Sequence, residues 1–251
     1  MSVTIKSSKE IELMREAGNI LAIVHEELEK FIKPGISTMD IDKKGYEIIK
    51  SYDCIPSFLN YNGYPASICV SVNDEVVHGI PHKKHFLREG DIVSLDAGVI
   101  YQGYHSDAAR TYGVGEINQE AQKLIDVTKQ SFFEGIKFAK EGNHLHDISK
   151  AIQDYVESNG FSIVRDLVGH GIGKALHEEP QIPNFKPIGR GPKLLEGMTL
   201  AIEPMVNAGK RDVWWLEDDW TVVTQDGSLS AHYENTVLVT KDGPEILSVK
   251  R

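Results

Sequence analysis

The spacing of apolar residues predicts four amphipathic helices. Met14, Ala17 and Leu21 recur three or four positions apart, so they fall on one face of a first helix. This helix follows Ser7-Ser8 and is expected to end near Lys33-Pro34-Gly35, because proline and glycine stop helices. The same reasoning predicts the other three helices over residues 37 to about 52, 120–140 and 145–158.

Runs of β-branched and aromatic residues between the helices predict strands. They cover residues 67–72, 91–99, 105–114, 198–202, 220–224 and 235–240. Helices mixed with antiparallel hairpins are typical of an α+β domain. We therefore expect the α+β class.

A shift of 107 positions aligns two distant parts of the chain. Glu89-Gly90 then matches Glu196-Gly197, and Asp96 falls on Glu203. One offset that holds across helical and strand-like regions indicates an internal duplication. We therefore expect one domain made of two similar halves, with these bounds: 1–251 for the domain, and about 1–115 and 116–251 for the halves.

Composition narrows the class of protein. Hydrophobic residues make up 41% and charged residues 25% of the 251-residue chain, as in ordinary globular proteins. The formal charge of -10 argues against broad nucleic-acid binding. Two cysteines without a CxxC motif do not make a disulfide framework, and no apolar run is long enough to cross a membrane. The N-terminal residues lack the apolar stretch of a signal peptide, so we expect a cytoplasmic protein.

Two aspartates lie on a predicted hairpin. Asp96 is in an apolar strand, and Asp107 is on the strand that returns after Tyr101-Gln102. A turn at Tyr101-Gln102 would place the two aspartates directly opposite each other on one sheet face. Facing carboxylates repel unless a cation lies between them, so the hairpin predicts a divalent metal site.

The second half carries carboxylates in equally apolar surroundings. Glu203 follows Leu200-Ala-Ile202, and Glu234 precedes the run Thr-Val-Leu-Val, where a bare carboxylate is costly to bury. His170 stands between glycines that allow close backbone approach and leave the imidazole open. A single strand carboxylate is more often solvated or salt-bridged, but four of them with this histidine favour a metal centre. Such an oxygen-rich set suits two divalent ions, drawn from Co, Mn, Fe, Zn or Ni, rather than a structural zinc site.

Two more histidines stand in apolar or glycine- and proline-rich segments. They are His78, before Gly-Ile-Pro81, and His177, before Glu-Glu-Pro180. Each alone is more often a hydrogen-bonded structural histidine than a catalytic one. Beside a two-metal site, both would be donors to a substrate carbonyl or a developing oxyanion. For the adjacent Trp214 and Trp215, packing on the core and forming the rim of a cleft are both open, and we favour packing.

The candidate residues fall within short segments whose order and spacing are highly specific. These segments are Tyr61-Asn-Gly-Tyr-Pro65, Ile68-Cys-Val-Ser71, Asn73-Asp-Glu-Val-Val-His-Gly-Ile-Pro81, Gly90-Asp-Ile-Val-Ser-Leu-Asp96, Gly169-His-Gly-Ile-Gly173, His177-Glu-Glu-Pro180, Gly197-Met-Thr-Leu-Ala-Ile-Glu-Pro204 and Tyr233-Glu-Asn-Thr-Val237. Over essentially the whole chain they resemble the type I methionine aminopeptidases of bacteria. The resemblance implies the pita-bread fold, with two pseudo-symmetric halves around a central antiparallel sheet.

The resemblance also implies a ligand set. Asp107 and Glu234 would bridge two metal ions, Asp96 would complete the coordination shell of one ion, and His170 and Glu203 that of the other. The position of Glu203 also serves proton transfer in this family. The ligand set of the family therefore coincides with the carboxylates and the histidine that their apolar surroundings already single out.

Substrate contacts follow from the same resemblance. The position of His177 contacts the substrate carbonyl, and that of His78 lies close to the scissile amide. The methionine pocket would be lined by Phe58, Tyr61, Tyr64, Cys69, Leu176 and Trp220. Phe58 and Leu176 stand where several relatives carry Cys and Phe.

We therefore expect an enzyme that removes the initiator methionine from nascent proteins when the second residue is small, by dinuclear metal-assisted amide hydrolysis. An X-Pro aminopeptidase or prolidase, and a non-catalytic peptide-binding module of the same fold, stay open as alternatives. The expected partners are the N-termini of nascent polypeptides, for a cytoplasmic monomer without membrane association or nucleic-acid specificity. Transient ribosome association also stays open, because the basic pairs Lys83-Lys84 and Lys210-Arg211 are too sparse to argue for it.

Overall fold

Four α-helices form where the apolar pattern predicts them. In a computed structural model that describes residues 3–251, they are α1 (Ser8–Phe31), α2 (Thr38–Ser51), α3 (Gln119–Ile136) and α4 (Leu145–Ser158). Met1 and Ser2, which begin the segment interpreted as unlike a signal peptide, lie outside the described residues. Within the described part of the chain, no helix is both long and apolar enough to cross a membrane.

Capping side chains explain where the first two helices begin. The hydroxyls of Ser7 and Ser37 accept backbone N–H groups of the first turn, and the carboxylates of Glu10 and Asp40 accept the serine N–H groups in return. The predicted third helix is too long at its end. The chain turns tightly after α3, where the Phe138 N–H donates to the carbonyl of Gly135.

Fifteen strands lie within residues 3–251. They are β1 (Ile55–Pro56), β2 (Ile68–Val72), β3 (Glu75–Val77), β4 (Ile92–Tyr101), β5 (Tyr104–Gly113), β6 (Ser162–Ile163), β7 (Gly169–Gly171), β8 (Glu178–Ile182), β9 (Thr199–Ile202), β10 (Met205–Asn207), β11 (Val213–Trp215), β12 (Val222–Thr224), β13 (Ser230–His232), β14 (Asn235–Val239) and β15 (Pro244–Ile246). The six predicted runs are confirmed as β2, β4, β5, β9, β12 and β14. The other strands have two to five residues, too few for an alternating pattern to identify them.

The longest hairpin joins β4 to β5 and corrects the predicted register. Asp96 pairs with Ala109 rather than with Asp107, because the two-residue turn is at Gln102-Gly103 and not at Tyr101-Gln102. Both turn residues have positive φ, the conformation that suits a tight hairpin. The predicted register is therefore wrong by two residues. A shift of two keeps every side chain on its face, so the two aspartates are diagonal neighbours on the same face.

The sheets are antiparallel throughout. β4 pairs with β5 along one edge and with β2 and β1 along the other. Five strands of the second half follow the order β15-β14-β9-β7-β8. Two smaller sheets, β13-β10-β6 and β11-β12-β3, complete the structure. Together with the four helices they form an α+β fold.

Each helix pair covers an apolar core of its own half. Leu21 and Ile41 belong to the core beneath α1 and α2, and Phe132 and Ile148 to the core around α3 and α4. α2 and α4 both have 14 residues and begin 107 positions apart, and β4 and β9 begin 107 positions apart as well. The internal duplication and the half boundaries stay a prediction that these bounds support.

Trp214 and Trp215 lie on the edge strand β11. Their relative exposures are 56% and 51%, so the preferred interpretation, packing on the core, is wrong. β11 pairs with β12, and the core beneath this sheet is filled by valines, among them the fully buried Val222. Trp220 lies in the segment that connects β11 to β12.

Candidate metal centre and active site

Asp96 and Asp107 extend from the β4–β5 hairpin into the same interior space. Asp96 has Cys69 of β2 as its cross-strand partner, and Asp107 is buried. Thr236 of β14 fixes the backbone of Asp107. Its Oγ1 accepts from the Asp107 N–H and donates to the Asp107 carbonyl, each at 2.9 Å. A residue of the second half therefore holds an aspartate of the first.

Glycines place His170 close to its neighbouring strands. His170 is the middle residue of β7, between Gly169 and Gly171. A Cβ atom on Gly169 would collide with the carbonyl oxygen of Ala201, and one on Gly171 with that of Glu179. Only glycine fits at both positions, which is the close approach that the sequence predicts.

A backbone hydrogen bond sets the tautomer of His170. Its Nδ1 lies 2.9 Å from the carbonyl oxygen of Gly171, which can only accept, so Nδ1 carries the proton. Nε2 is left with its lone pair, 3.7 Å from Glu203 Oε1 and 3.9 Å from Asp107 Oδ2. Burial lowers the pKa of His170 to about 3, which keeps the ring neutral. A neutral imidazole with its second nitrogen bonded to a carbonyl is the usual form of a metal ligand.

Glu203 and Glu234 stand where short strands end. Glu203 directly follows β9, and Asn184 donates to its carbonyl oxygen at 3.0 Å. Glu234 lies in the break between β13 and β14, and its N–H donates to the carbonyl of Ala109 at 3.0 Å. The guanidinium of Arg110 donates to the carbonyl of Glu234. These contacts hold both backbones outside regular structure.

The five candidate ligands converge from the two halves. Asp107, His170 and Glu234 offer ligand atoms that all lie within 4.8 Å of one another. Glu203 lies beside His170 of this trio, and the side chain of Asp96 lies beside that of Asp107. Among residues 3–251, this trio has the spacing of a single metal site.

The chemistry of the donors fits a divalent cation. Asp96 Oδ1, Asp107 Oδ1 and Glu234 Oε1 are buried oxygens without a hydrogen-bond partner among residues 3–251. Burial raises the pKa of Asp96 to about 7. Burial, and after it the neighbouring carboxylates, raise the pKa values of Asp107, Glu203 and Glu234 well above their usual range. A divalent ion would satisfy the oxygens and remove the repulsion, and an oxygen-rich set with one imidazole suits borderline or hard ions.

His177 and His78 border the same space. His177 Nδ1 lies 2.7 Å from the Tyr61 hydroxyl, and its ring centroid lies 4.2 Å from that of His170. His78 has φ of 59°, a left-handed conformation that is uncommon for a residue other than glycine and is found at functional sites. Burial lowers the pKa of His78 to about 4 and also lowers that of His177. Both rings are therefore neutral at about pH 7.

A cavity of about 160 Å³ opens onto these groups. It is lined by all the candidate site residues and by Asn62: Phe58, Tyr61, Asn62, Tyr64, Cys69, His78, Asp96, Asp107, His170, Leu176, His177, Glu203, Trp220 and Glu234. The Trp220 ring packs edge-on against the Tyr64 ring, with 5.1 Å between the ring centroids. The structure thus brings every predicted site residue to one cavity, while the role of each residue stays a prediction.

Sequence reasoning missed two buried histidines beside the centre. His105 lies two positions before Asp107 on β5, and its Nδ1 is 3.0 Å from Ser57 Oγ. The alternation of the strand could have identified it, because residues two apart share a face. His232 ends β13, with Nε2 3.7 Å from Glu203 Oε2. No periodic signal marks it, since the strand is too short.

Comparison with known proteins gives a family match over most of the chain. The model of metallopeptidase family M24 matches residues 12–241. A methionine aminopeptidase from Clostridium acetobutylicum is 58% identical, over 98% of this chain and 99% of that protein. Methionine aminopeptidase 1 from Bacillus subtilis is 53% identical over the same shares of the two chains.

Solved structures are similar to this one at the level of the whole fold. The crystal structure of a methionine aminopeptidase from Thermotoga maritima has a TM-score of 0.97 at 48% identity, covering 99% of this chain and all of that chain. An Xaa-Pro dipeptidase from Bacillus anthracis has a TM-score of 0.79 at 24% identity, covering 98% of this chain and 62% of the other. The second likeness concerns the fold alone. The predicted pita-bread fold is thereby confirmed.

Proposed function

The chain belongs to metallopeptidase family M24, and from this premise we propose that it removes the initiator methionine from nascent proteins whose second residue is small. The activity is that of a methionyl aminopeptidase, the name carried by relatives up to 58% identical over nearly the whole chain. The observation that carries the proposal is the cluster of Asp107, His170 and Glu234, buried at a small cavity with aromatic walls.

An X-Pro peptidase is not favoured. Proteins named methionine aminopeptidase match along their whole length at 53–58% identity, whereas the Xaa-Pro dipeptidase shares 24% identity and extends well beyond this chain. A peptide-binding module without activity is also not favoured. Such a module would have no use for four converging carboxylates, because burying them together is costly without a cation.

A divalent-metal site follows from the family, and two ions are part of the proposal. Asp107 and Glu234 would hold both ions, Asp96 one of them, and His170 and Glu203 the other. When bound, such ions lower the pKa of a coordinated water and polarise the scissile carbonyl. Co, Mn, Fe, Zn and Ni all suit the donor set.

Glu203 is the proposed proton carrier. Its carboxylate borders the candidate ligands through His170, a position from which it can act as a general base toward a metal-activated water. It would take the proton of the attacking water and pass it to the leaving amine. The neutral Nε2 of His170, at 3.7 Å from Oε1, adds no proton of its own to this exchange.

His177 and His78 would bind the reacting amide. When the Tyr61 hydroxyl donates to Nδ1 of His177, the ring carries its proton on Nε2 and can donate to the substrate carbonyl oxygen. His78, held in its left-handed conformation, would position the amide or the leaving group. Neither ring needs to be charged, because a developing oxyanion is stabilised by a neutral donor as well.

The methionine side chain would fill the cavity. Its proposed walls are Phe58, Tyr61, Tyr64, Cys69, Leu176 and Trp220. A flexible thioether makes favourable contacts with aromatic rings, and the cavity is small beside the roughly 300–1,000 Å³ of drug-sized pockets. One side chain, and not a longer peptide, therefore fits inside. The limit to small second residues is part of the proposal.

The proposal also covers the location, oligomeric state and partners of the enzyme. We propose a cytoplasmic monomer of one domain, 1–251, that acts on the N-termini of nascent polypeptides and does not recognise nucleic acid directly. Both cysteines, Cys54 and Cys69, are free thiols, which agrees with a reducing compartment. Transient association with the ribosome would bring the enzyme to these substrates.

Hydrolysis of a peptide panel tests the proposal. Metal-stripped protein is reconstituted separately with Mn, Fe, Co and Zn, and offered Met-Ala-Ser, Met-Lys-Ser, Leu-Ala-Ser and Ala-Pro-Ser. We expect metal-dependent cleavage of Met-Ala-Ser alone. Preference for Ala-Pro-Ser would assign the protein to the X-Pro class, and no cleavage with any metal would favour a binding module.

A further inference from the structure

His232 is a buried histidine whose ring nitrogens both lack a hydrogen-bond partner in the described part of the chain. Its backbone is held firmly. Thr111 Oγ1 accepts from the His232 N–H and donates to the His232 carbonyl, each at 2.9 Å, and Ser94 hydrogen-bonds the same hydroxyl at 2.7 Å. The ring is thus kept in a place where its polar atoms are not satisfied, which costs stability. A buried orphan group of this kind calls for an explanation.

The carboxylate of Glu203 faces this ring. His232 Nε2 lies 3.7 Å from Oε2, while His170 Nε2 lies 3.7 Å from Oε1. One oxygen of Glu203 is therefore directed to the metal centre and the other to His232. The ring is buried, and among residues 3–251 Glu203 is its one partner within ion-pair distance.

We propose that His232 is a positioning residue for Glu203. Its Nε2–H holds Oε2, so that Oε1 keeps its direction toward His170 and the metal centre. The separation of 3.7 Å is longer than a hydrogen bond, so the proposal requires the two groups to move closer when the site is occupied. Hydrogen bonds of this kind are often long before a site is loaded and shorten afterwards. Partners behind a metal ligand orient the ligand and raise its affinity for the ion.

This inference rests on the proposed function, and a set of three variants tests it. His232→Gln keeps an amide donor of similar reach, His232→Asn keeps the amide but is one methylene shorter, and His232→Leu removes the donor. The Mn²⁺ affinity of each stripped protein is measured by calorimetry. The kcat and KM for Met-Ala-Ser are measured after reconstitution, and the Tm of each stripped protein reports on folding.

We expect the Gln variant to keep the wild-type affinity and kcat. The Asn and Leu variants should bind Mn²⁺ about 10- to 100-fold more weakly and lose a similar factor in kcat. If the Gln and Asn variants bind Mn²⁺ equally well, or equally poorly, the reach of the donor is irrelevant and the inference is overturned. That outcome, with an active wild-type protein, would leave the proposed function standing.

His25 provides a matched control. It is also a buried histidine with an unpartnered ring nitrogen, but its Nε2 contacts the carbonyl of Ala108 at 2.8 Å and no candidate ligand. His25→Leu should lower the Tm and leave the Mn²⁺ affinity unchanged. If His25→Leu weakens Mn²⁺ binding as much as His232→Leu does, the effect comes from general loosening of the core and the positioning role is wrong.

Discussion

The two halves of the molecule contribute the candidate ligands in different ways. The first half places Asp96 and Asp107 on a regular hairpin of two ten-residue strands. The second half places its candidate ligands at irregular points. His170 is in a three-residue strand, Glu203 follows a strand end, and Glu234 lies in a break between two strands.

This difference shows what each ligand depends on. In the hairpin, strand alternation alone puts both aspartates on one face. In the second half, each carboxylate needs a dedicated contact to its backbone, from Asn184 to Glu203 and from Arg110 to Glu234.

Removing the charge of one candidate ligand should cause the largest loss of activity, and the loss should be similar in both halves. Asp107→Asn and Glu234→Gln are each expected to lower kcat/KM on the order of 10³-fold or more, because the loss of metal binding removes several kcal/mol of transition-state stabilisation. Asp154→Asn, which changes an exposed carboxylate of α4, is the control. Near-native turnover of either variant would show that the substituted carboxylate is not a required ligand.

Without metal, the clustered carboxylates should make the stability of the protein depend on pH. The folded-state pKa of Asp96 is raised to about 7, so the folded protein keeps a proton that the unfolded chain releases at lower pH. Stability of the stripped protein should therefore fall as the pH rises from about 4 to about 7, and bound metal should remove this dependence. Thermal unfolding with and without Mn²⁺ measures it. A stripped protein whose Tm rises over this range would contradict the account.

Glu234→Gln sharpens this prediction. The variant removes a buried charge whose pKa burial and Glu203 raise well above the usual range. In the stripped state at about pH 8 it should be more stable than the wild type, although it is less active. If this variant is less stable than the wild type without metal, the carboxylates do not repel one another as the account requires.

A smaller effect, on the free energy of unfolding, is expected at the contact between Thr236 of the second half and Asp107 of the first. Thr236→Val removes the hydroxyl that bonds both the N–H and the carbonyl of Asp107, and should cost about 1–3 kcal/mol of unfolding free energy. Thr236→Ser retains the hydroxyl and is the matched control. Denaturant unfolding compares the two, and equal losses would show that the methyl group, rather than the hydrogen bonds, supports the junction.

The smallest effect is expected on β11. Trp214→Ala and Trp215→Ala remove side chains that are more than half exposed, so each should change the unfolding free energy by no more than about 0.5 kcal/mol. Activity on Met-Ala-Ser should be unchanged, because neither residue lines the cavity. A sharp rise in KM with unchanged stability would instead place the pair at the substrate cleft.

Much of this architecture could be predicted from the sequence, and the contrast between the halves explains the rest. Long periodic segments such as α1 and α4 were predictable because their apolar faces repeat many times. The strand β13, which ends two residues before Glu234, was not predicted, because three residues are too few for a local pattern to reveal. The hairpin register was missed by two residues, because turn position depends on which residues adopt positive φ, here Gln102 and Gly103.

In the candidate site, too, some residues could be predicted from the sequence and others could not. The grouping of the candidate ligands at one cavity was predictable because carboxylates in apolar strands are unusual, while the proposed roles come from the resemblance. Residues that support the ligands, such as Thr236 and His232, are ordinary in composition and become visible only through the contacts they make. The exposure of Trp214 and Trp215 could not be predicted, because aromatic residues on an edge strand are compatible with either a buried or an open face.

Anomalous scattering from a crystal soaked in Mn²⁺ tests the central claim most directly, because it locates the ions without reference to activity. The account predicts two peaks that share Asp107 and Glu234 as ligands, with Asp96 beside one peak and His170 and Glu203 beside the other. Peaks elsewhere, or none at this centre in a crystal of active protein, would contradict the claim that the two halves together form the metal site.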